Sequence, residues 1–187
     1  MAVGDAGALD PIDPSVEDAG VRPPFVLTSS AFGAGERLPN AHSCVGGAAS
    51  PPLSWSEGPP GTRSYAVALI TRNQTWQTVQ QTAQWVVWDI HAQELPEGVA
   101  AGDAPSNVTG ARQTNVTSSA LPVLGSPPAY VAPCVLSGID EFEFVLYALS
   151  ADALPITAPV SPDVIVTELE SNPGLTLARS VLPFTFP

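Results

Sequence analysis

Lysine is absent from this chain of 187 residues, and arginine supplies all six of its permanent cations. Against 18 acidic residues this leaves a formal net charge of −12. A phosphate backbone is held by a basic footprint, so nucleic acid is excluded as an expected partner. An anionic membrane surface is disfavoured on the same ground. The plain meaning of the charge is solubility through self-repulsion.

Histidine is nearly as scarce, with only His42 and His91. A hydrolytic triad needs a nucleophile, a base and an orienting group, and no Gly-x-Ser-x-Gly elbow is present. His42 lies two residues before Cys44, a spacing that fits a thiol–imidazole pair or half of a metal site. Neither has further His or Cys partners in the sequence, so a packed or exposed His42 is the simpler reading. No Asp-x-Asp-x-Asp-Gly loop occurs among the acids. No metal, cofactor or catalytic residue is therefore expected. Long apolar runs are missing too, and no integral membrane segment is expected.

What the chain does have is 21 Pro and 15 Gly, with 44% hydrophobic residues. This points to many short strands and turns around one core. Residues 1–22 are acidic and aperiodic and are expected to form a flexible tail ahead of a β domain over residues 23–187. Their texture suits a mature N-terminal tether whose export signal lies outside the sequence, though a cytoplasmic start is not excluded. "PPFVLTSSAF" reads as a short strand. "SYAVALITR" puts Tyr65, Val67 and Leu69 on one face, as in a half-buried strand. "QWVVWDIHA" and "FEFVLYALSA" are further strands, the second with Phe142, Phe144 and Leu146 on one face and Glu141 and Glu143 on the other. "LTLARSVLPFTFP" reads as a closing strand.

One helix stands out in "SPDVIVTELESNPG". Ser161 is placed to cap it, Pro162 and Asp163 suit its first turn, and Asn172-Pro173-Gly174 stops it. Ile165 and Leu169, four apart, form its buried stripe. The span 93–135 is rich in Gly, Pro, Ser and Thr; so long a loop is functional or carries short strands of its own. Cys44 and Cys134 are either a disulfide or two buried thiols. Asn73, Asn107 and Asn115 begin Asn-x-Ser/Thr sequons.

Several stretches, in order, resemble the phosphatidylethanolamine-binding protein family, in its bacterial Raf-kinase-inhibitor-like branch. "RLPNAHSCVGGAASPPLSW" is similar to its I-P-x-x-Y-T-C-D-G-x-x-x-S-P-P-L-S-W, and Pro60 to Ala66 follow its P-x-G-T-x-S-x-A. "QWVVWDIHAQELPEGV" resembles H-W-V-x-x-N-I-P-A-x-x-x-x-L-P-x-G. "GARQ", "YVAPCVLSG" and "FEFVLYAL" follow in register. The resemblance implies a mainly β fold: a large antiparallel sheet packed on a smaller one, with one or two peripheral helices. It also implies a small anion pocket near the sheet ends, built from an Asp-Pro-Asp-x-Pro loop and two histidines. Both cysteines fall where that branch often has them. In an exported protein, a bridge between them would brace the pocket region.

The pocket residues depart from the pattern. The Asp-Pro-Asp falls on Asn73-Gln74-Thr75, the first His on Gln84, the second on Asp140, a Tyr on Phe142, and the Asp after Cys44 on Val45. Neutral amides and hydroxyls hold an anion less firmly than protonated His, and Asp140 would repel it. The expected lining is Asn73, Thr75, Trp76, Gln84, Trp85, Trp88, Pro133, Asp140 and Phe142, suited to a neutral or cationic small molecule. The same aromatics fit core or rim packing equally well. The expectation is a non-catalytic, exported binding protein for a small ligand or a protein partner. The alternatives are a protease- or kinase-inhibitor-like protein acting through residues 105–133, and a small-molecule enzyme such as a cyclase.

Overall fold

A computed structural model describes residues 23–74, 79–116, 127–134, 140–156 and 160–186. The tail expected over residues 1–22 lies outside them, as do Thr75 and Trp76. Eight strands and one helix follow in chain order: β1 (Leu27–Ser29), β2 (Leu53–Trp55), β3 (Ser64–Gln74), β4 (Val79–Ile90), β5 (Glu94–Leu95), β6 (Arg112–Asn115), β7 (Asp140–Leu149), α1 (Pro162–Ser171) and β8 (Thr176–Phe186). They form a five-stranded antiparallel sheet, β6-β4-β3-β7-β8, and a three-stranded one, β1-β2-β5. The expected architecture, a large sheet on a smaller one with a peripheral helix, is what the chain adopts.

The large sheet is covered on both faces. One face carries Tyr65, Val67, Leu69, Trp85, Val87, Phe144 and Leu146, which pack against Leu27, Leu53, Trp55 and Leu95 of the small sheet. The other carries Ala66, Ala68, Ile70, Val86, Trp88, Val145 and Tyr147 beneath Ile165 and Leu169 of α1. The half-buried assignment of β3 is thus corrected. Its polar-looking face is a row of alanines, small enough for a helix to lie close on the sheet. Alternation on β3 marks which layer a residue joins, not which residue meets water.

α1 starts at Pro162 and buries Pro162, Ile165 and Leu169, as its spacing requires. Ser161 stands at the N-cap position, but its side chain makes no capping bond. Asp163 of the first turn reaches across to the sheet instead, accepting a hydrogen bond from the Ala83 amide at 2.9 Å. Beyond the helix, Glu143 is buried at the β7–β8 edge. It pairs with Arg72 at 2.8 Å and Arg179 at 3.4 Å, so a third of the chain's arginines are committed to this face.

Two register shifts mark bulges in β4. Tyr65 pairs with Ile90 and Val67 with Val87, so two residues of β4 oppose Ala66. One of them, Asp89, has φ = 57°, the left-handed region that disfavours a side chain other than Asn, Asp or Gly. The residue is 5% exposed, and its carboxylate accepts a hydrogen bond from the Leu154 amide at 2.8 Å. Loss of solvation on burial raises its pKa above the ordinary carboxylate value. Because the folded value is raised, stability from this site is fully present at low pH. It is lost as pH climbs through the folded pKa. Asp89→Asn keeps the acceptor oxygen, removes the buried charge and restores the residue of the resembling pattern. It should raise the melting temperature by a few degrees at neutral pH. The advantage should vanish below the ordinary carboxylate pKa, as thermal melts across pH would reveal.

Candidate functional site

The second bulge builds the site. Leu69 pairs with Trp85 and Ile70 with Ala83, leaving Gln84 as the extra residue of β4. A bulge re-aims a side chain without ending the strand. Here Gln84 turns toward β3 and donates its amide N–H to the Thr71 hydroxyl. Its carbonyl accepts from the Val116 amide at 2.9 Å. Thr71 is itself buried, opposite Phe142 of β7.

Next along β4, Trp85 is wholly buried. Its indole N–H donates to Gln113 Oε1 at 2.8 Å. Gln113 is the hub of this end of the molecule. Its amide nitrogen donates to the carbonyls of Ala100 at 2.6 Å, Gly102 at 2.8 Å and Pro128 at 3.2 Å. Asn115, two residues on and on the same face, donates to the Ala129 carbonyl at 2.9 Å. That bond fixes which end of the amide is nitrogen. The remaining oxygen, Asn115 Oδ1, is buried and has no hydrogen-bond partner among the described residues.

Residues 127–134 run across this face as a strap. Tyr130 meets Trp85 edge-on at 5.3 Å and lies parallel to Phe144 at 6.5 Å. Its hydroxyl donates to the His42 carbonyl at 3.0 Å, and burial pushes its pKa upward, so it stays a neutral donor. Cys44 bonds to Cys134 with their Cα atoms 5.3 Å apart, and the Cys44 amide donates to the Pro133 carbonyl at 3.1 Å. The bridge rules out a Cys44 thiolate. His42, buried, holds the Ala49 carbonyl through Nδ1 at 3.1 Å. His91 is exposed at a strand end, 3.6 Å from Asp152.

The turn that presents Cys44 is closed by hydrogen bonds from the Ser43 amide and hydroxyl to the Asn40 carbonyl, and from the Gly46 amide to the Ser43 carbonyl. A Cβ at Gly46 would lie 1.9 Å from the Asn40 carbonyl oxygen. Backbone cannot yield that far, so Gly46→Ala should displace the turn and cost about 2–3 kcal/mol. Slower bridge formation on oxidative refolding, followed by free-thiol titration, would check this.

Of the nine residues expected to line a cleft, Gln84, Trp85, Pro133 and Phe142 gather on the face toward the small sheet, Pro133 through the strap. Trp88 does not. Three residues from Trp85 on one strand, it points to the α1 face, with the Arg112 guanidinium 6.0 Å from its ring centre. Asn73 pairs with Gln80, and Asp140 with Phe186, placing both at the same end of the sheet. Gln113 and Asn115 escaped the sequence reading. The first stood only within "GARQ", and the second only as a sequon asparagine. Of the sequon asparagines whose exposure is described, Asn107 faces solvent and Asn115 is buried. Among the described residues, no group of His, Cys, Asp and Glu could hold a metal ion. Nor is any described helix long and apolar enough to cross a membrane.

The family model for phosphatidylethanolamine-binding protein matches residues 28–183. A UPF0098 protein of Chlamydia muridarum is 27% identical over 161 residues, covering 86% of this chain and 97% of its own. The UPF0098 protein YbcL of Escherichia coli is 28% identical over 156 residues, covering 79% and 81%. Among solved structures, a phosphatidylethanolamine-binding protein homologue of Chlamydia trachomatis superposes with a TM-score of 0.68 at 23% identity, covering 87% of this chain and 97% of that one. YbcL of Escherichia coli superposes at 0.66 and 22%, again covering 87% and 97%. The family model spans most of the chain and the fold agrees with it: the chain belongs to the phosphatidylethanolamine-binding protein family.

Proposed function

We propose that this protein is a non-catalytic binding module whose family anion pocket has been recoded for a small neutral or cationic ligand. The observation that carries the reading is the neutral Gln84–Thr71 pair on the β4 bulge, where the resembling pattern sets a histidine. An amide and a hydroxyl already bonded to each other offer no charge to an anion. Three of the six arginines are committed elsewhere. Arg72 and Arg179 are engaged with Glu143 on the opposite face, and Arg112 lies over Trp88. Val45, at the position of a family Asp, is 67% exposed and apolar.

The groups that remain favour a donor. Asn115 Oδ1 is a buried acceptor with a free lone pair, which costs about 1–3 kcal/mol until a donor arrives. Across the β4–β6 ladder Asn115 pairs with Trp85, whose ring face attracts cations. A methylated ammonium group suits both, its charge meeting the ring face and its polarised methyl C–H groups lying against the oxygen. The exposed disulfide and the acidic surface suit an exported protein in an oxidising compartment.

A thermal-shift comparison separates this from the family's ordinary chemistry. At saturating tetramethylammonium the melting temperature should rise, by about 5–10 °C if the ligand reaches a hundredfold excess over its Kd. Inorganic phosphate at the same concentration should leave it unchanged. A clear rise with phosphate and none with tetramethylammonium would overturn the reading.

A further inference from the structure

We propose that the Cys44–Cys134 bridge is a redox latch that holds residues 127–134 over the Trp85 face and gates access to it. Three observations meet here. Both cysteine residues are exposed, so a reductant can reach the bond without unfolding the core. Among the described residues, the strap's other hydrogen bonds run from Tyr130 to His42, Asn115 to Ala129, Gln113 and Gly102 to Pro128, and Cys44 to Pro133. Beneath it lie Trp85, Phe144 and the unpartnered Asn115 oxygen, the groups with most to offer a ligand.

The chemistry is thiol–disulfide exchange with a dithiol reductant. One thiolate of the reductant attacks a cysteine sulfur; the Cys44–Cys134 bond breaks and a mixed disulfide forms. The reductant's second thiol displaces that cysteine. Two electrons pass to the protein sulfurs, each of which ends protonated, and the reductant leaves as its own disulfide. Locally weak elements open without global unfolding when few buried contacts hold them. With the bridge gone, the strap keeps, among the described residues, these hydrogen bonds and the contacts of the Tyr130 ring with Trp85 and Phe144. The oxidised protein is the closed state and the dithiol form the open one. That the uncovered face takes a ligand rests on the functional reading above; the latch itself does not.

Chymotrypsin cleavage after Tyr130, located by mass spectrometry, tests the latch on the full chain. The oxidised protein should resist. Dithiothreitol should speed cleavage at Tyr130 by at least about tenfold while far-ultraviolet dichroism stays unchanged. Equal cleavage in both forms, or loss of the whole fold on reduction, would overturn the proposal. Calorimetric titration with tetramethylammonium adds the second arm. Affinity should be higher in the reduced protein and in oxidised Tyr130→Ala, which keeps the bridge but removes the covering ring. Equal affinity in all three forms contradicts gating. If the probe binds none of them, the functional reading fails, and the latch is then decided by the cleavage result alone.

Discussion

Replacing both cysteines, as Cys44→Ser with Cys134→Ser, should lower stability by about 4–5 kcal/mol and the melting temperature by about 10–15 °C. The bridge spans 90 residues of chain, so its main contribution is to the unfolded state, which loses the freedom of a very long loop. That loop contains β2 to β6, and so includes the central strand and part of both sheets. Native contacts removed with it are few, because both cysteines lie at the surface. The expected signature follows from this division. Unfolding should move to lower denaturant, while spectra of the folded state change little. Non-reducing gels and urea melts of oxidised and substituted protein would decide the matter, and a loss below about 1 kcal/mol would contradict the entropic account.

Gln113→Leu should be the most damaging single change, at about 3–4 kcal/mol. The volume is conserved, so no cavity term is expected. What is lost is one acceptor and one donor group at the junction of four segments. The Trp85 indole N–H would be buried with nothing to receive it, and the carbonyls of Ala100, Gly102 and Pro128 would lose their shared donor. A buried donor left unpaired carries the full cost of desolvation, whereas each carbonyl keeps its second lone pair. Gln113→Glu should do no better: it retains the acceptor for Trp85 but turns a negative oxygen toward three carbonyls. Urea midpoints at constant slope would measure both variants.

How far the sequence foretold this molecule depends on the length of the pattern involved. β3, β4, β7 and β8 run for ten to twelve residues, long enough for alternation to fix their faces. β2, β5 and β6 have between two and four residues, too short for any period, and β6 lies in what reads as polar loop. Gln113 and Asn115 look like solvated loop residues because their neighbours are Gly, Thr and Arg. They are buried only because the strap, distant in sequence, folds over them. The grouping of Trp88 with Trp85 failed for a reason the sequence did contain. An odd separation along a strand puts two side chains on opposite faces. The bulges at Gln84 and Asp89 were not legible at all, since one inserted residue leaves no compositional trace. Two cysteines alone left a disulfide and two buried thiols open, and the family resemblance, in which both positions often carry cysteine, favoured the bridge that forms.

The departures from the family pattern carry the functional argument, and the fold gives them their meaning. Where the resembling pattern sets charged groups for an anion, this end of the sheet holds an amide bonded to a hydroxyl, buried aromatic rings and a buried amide oxygen. Calorimetric titration of the whole protein, with inorganic phosphate and with tetramethylammonium in parallel, tests this most directly. The account predicts no saturable heat with phosphate up to millimolar concentration and saturable binding of the cation. Saturable phosphate binding, with the cation inert, would contradict it.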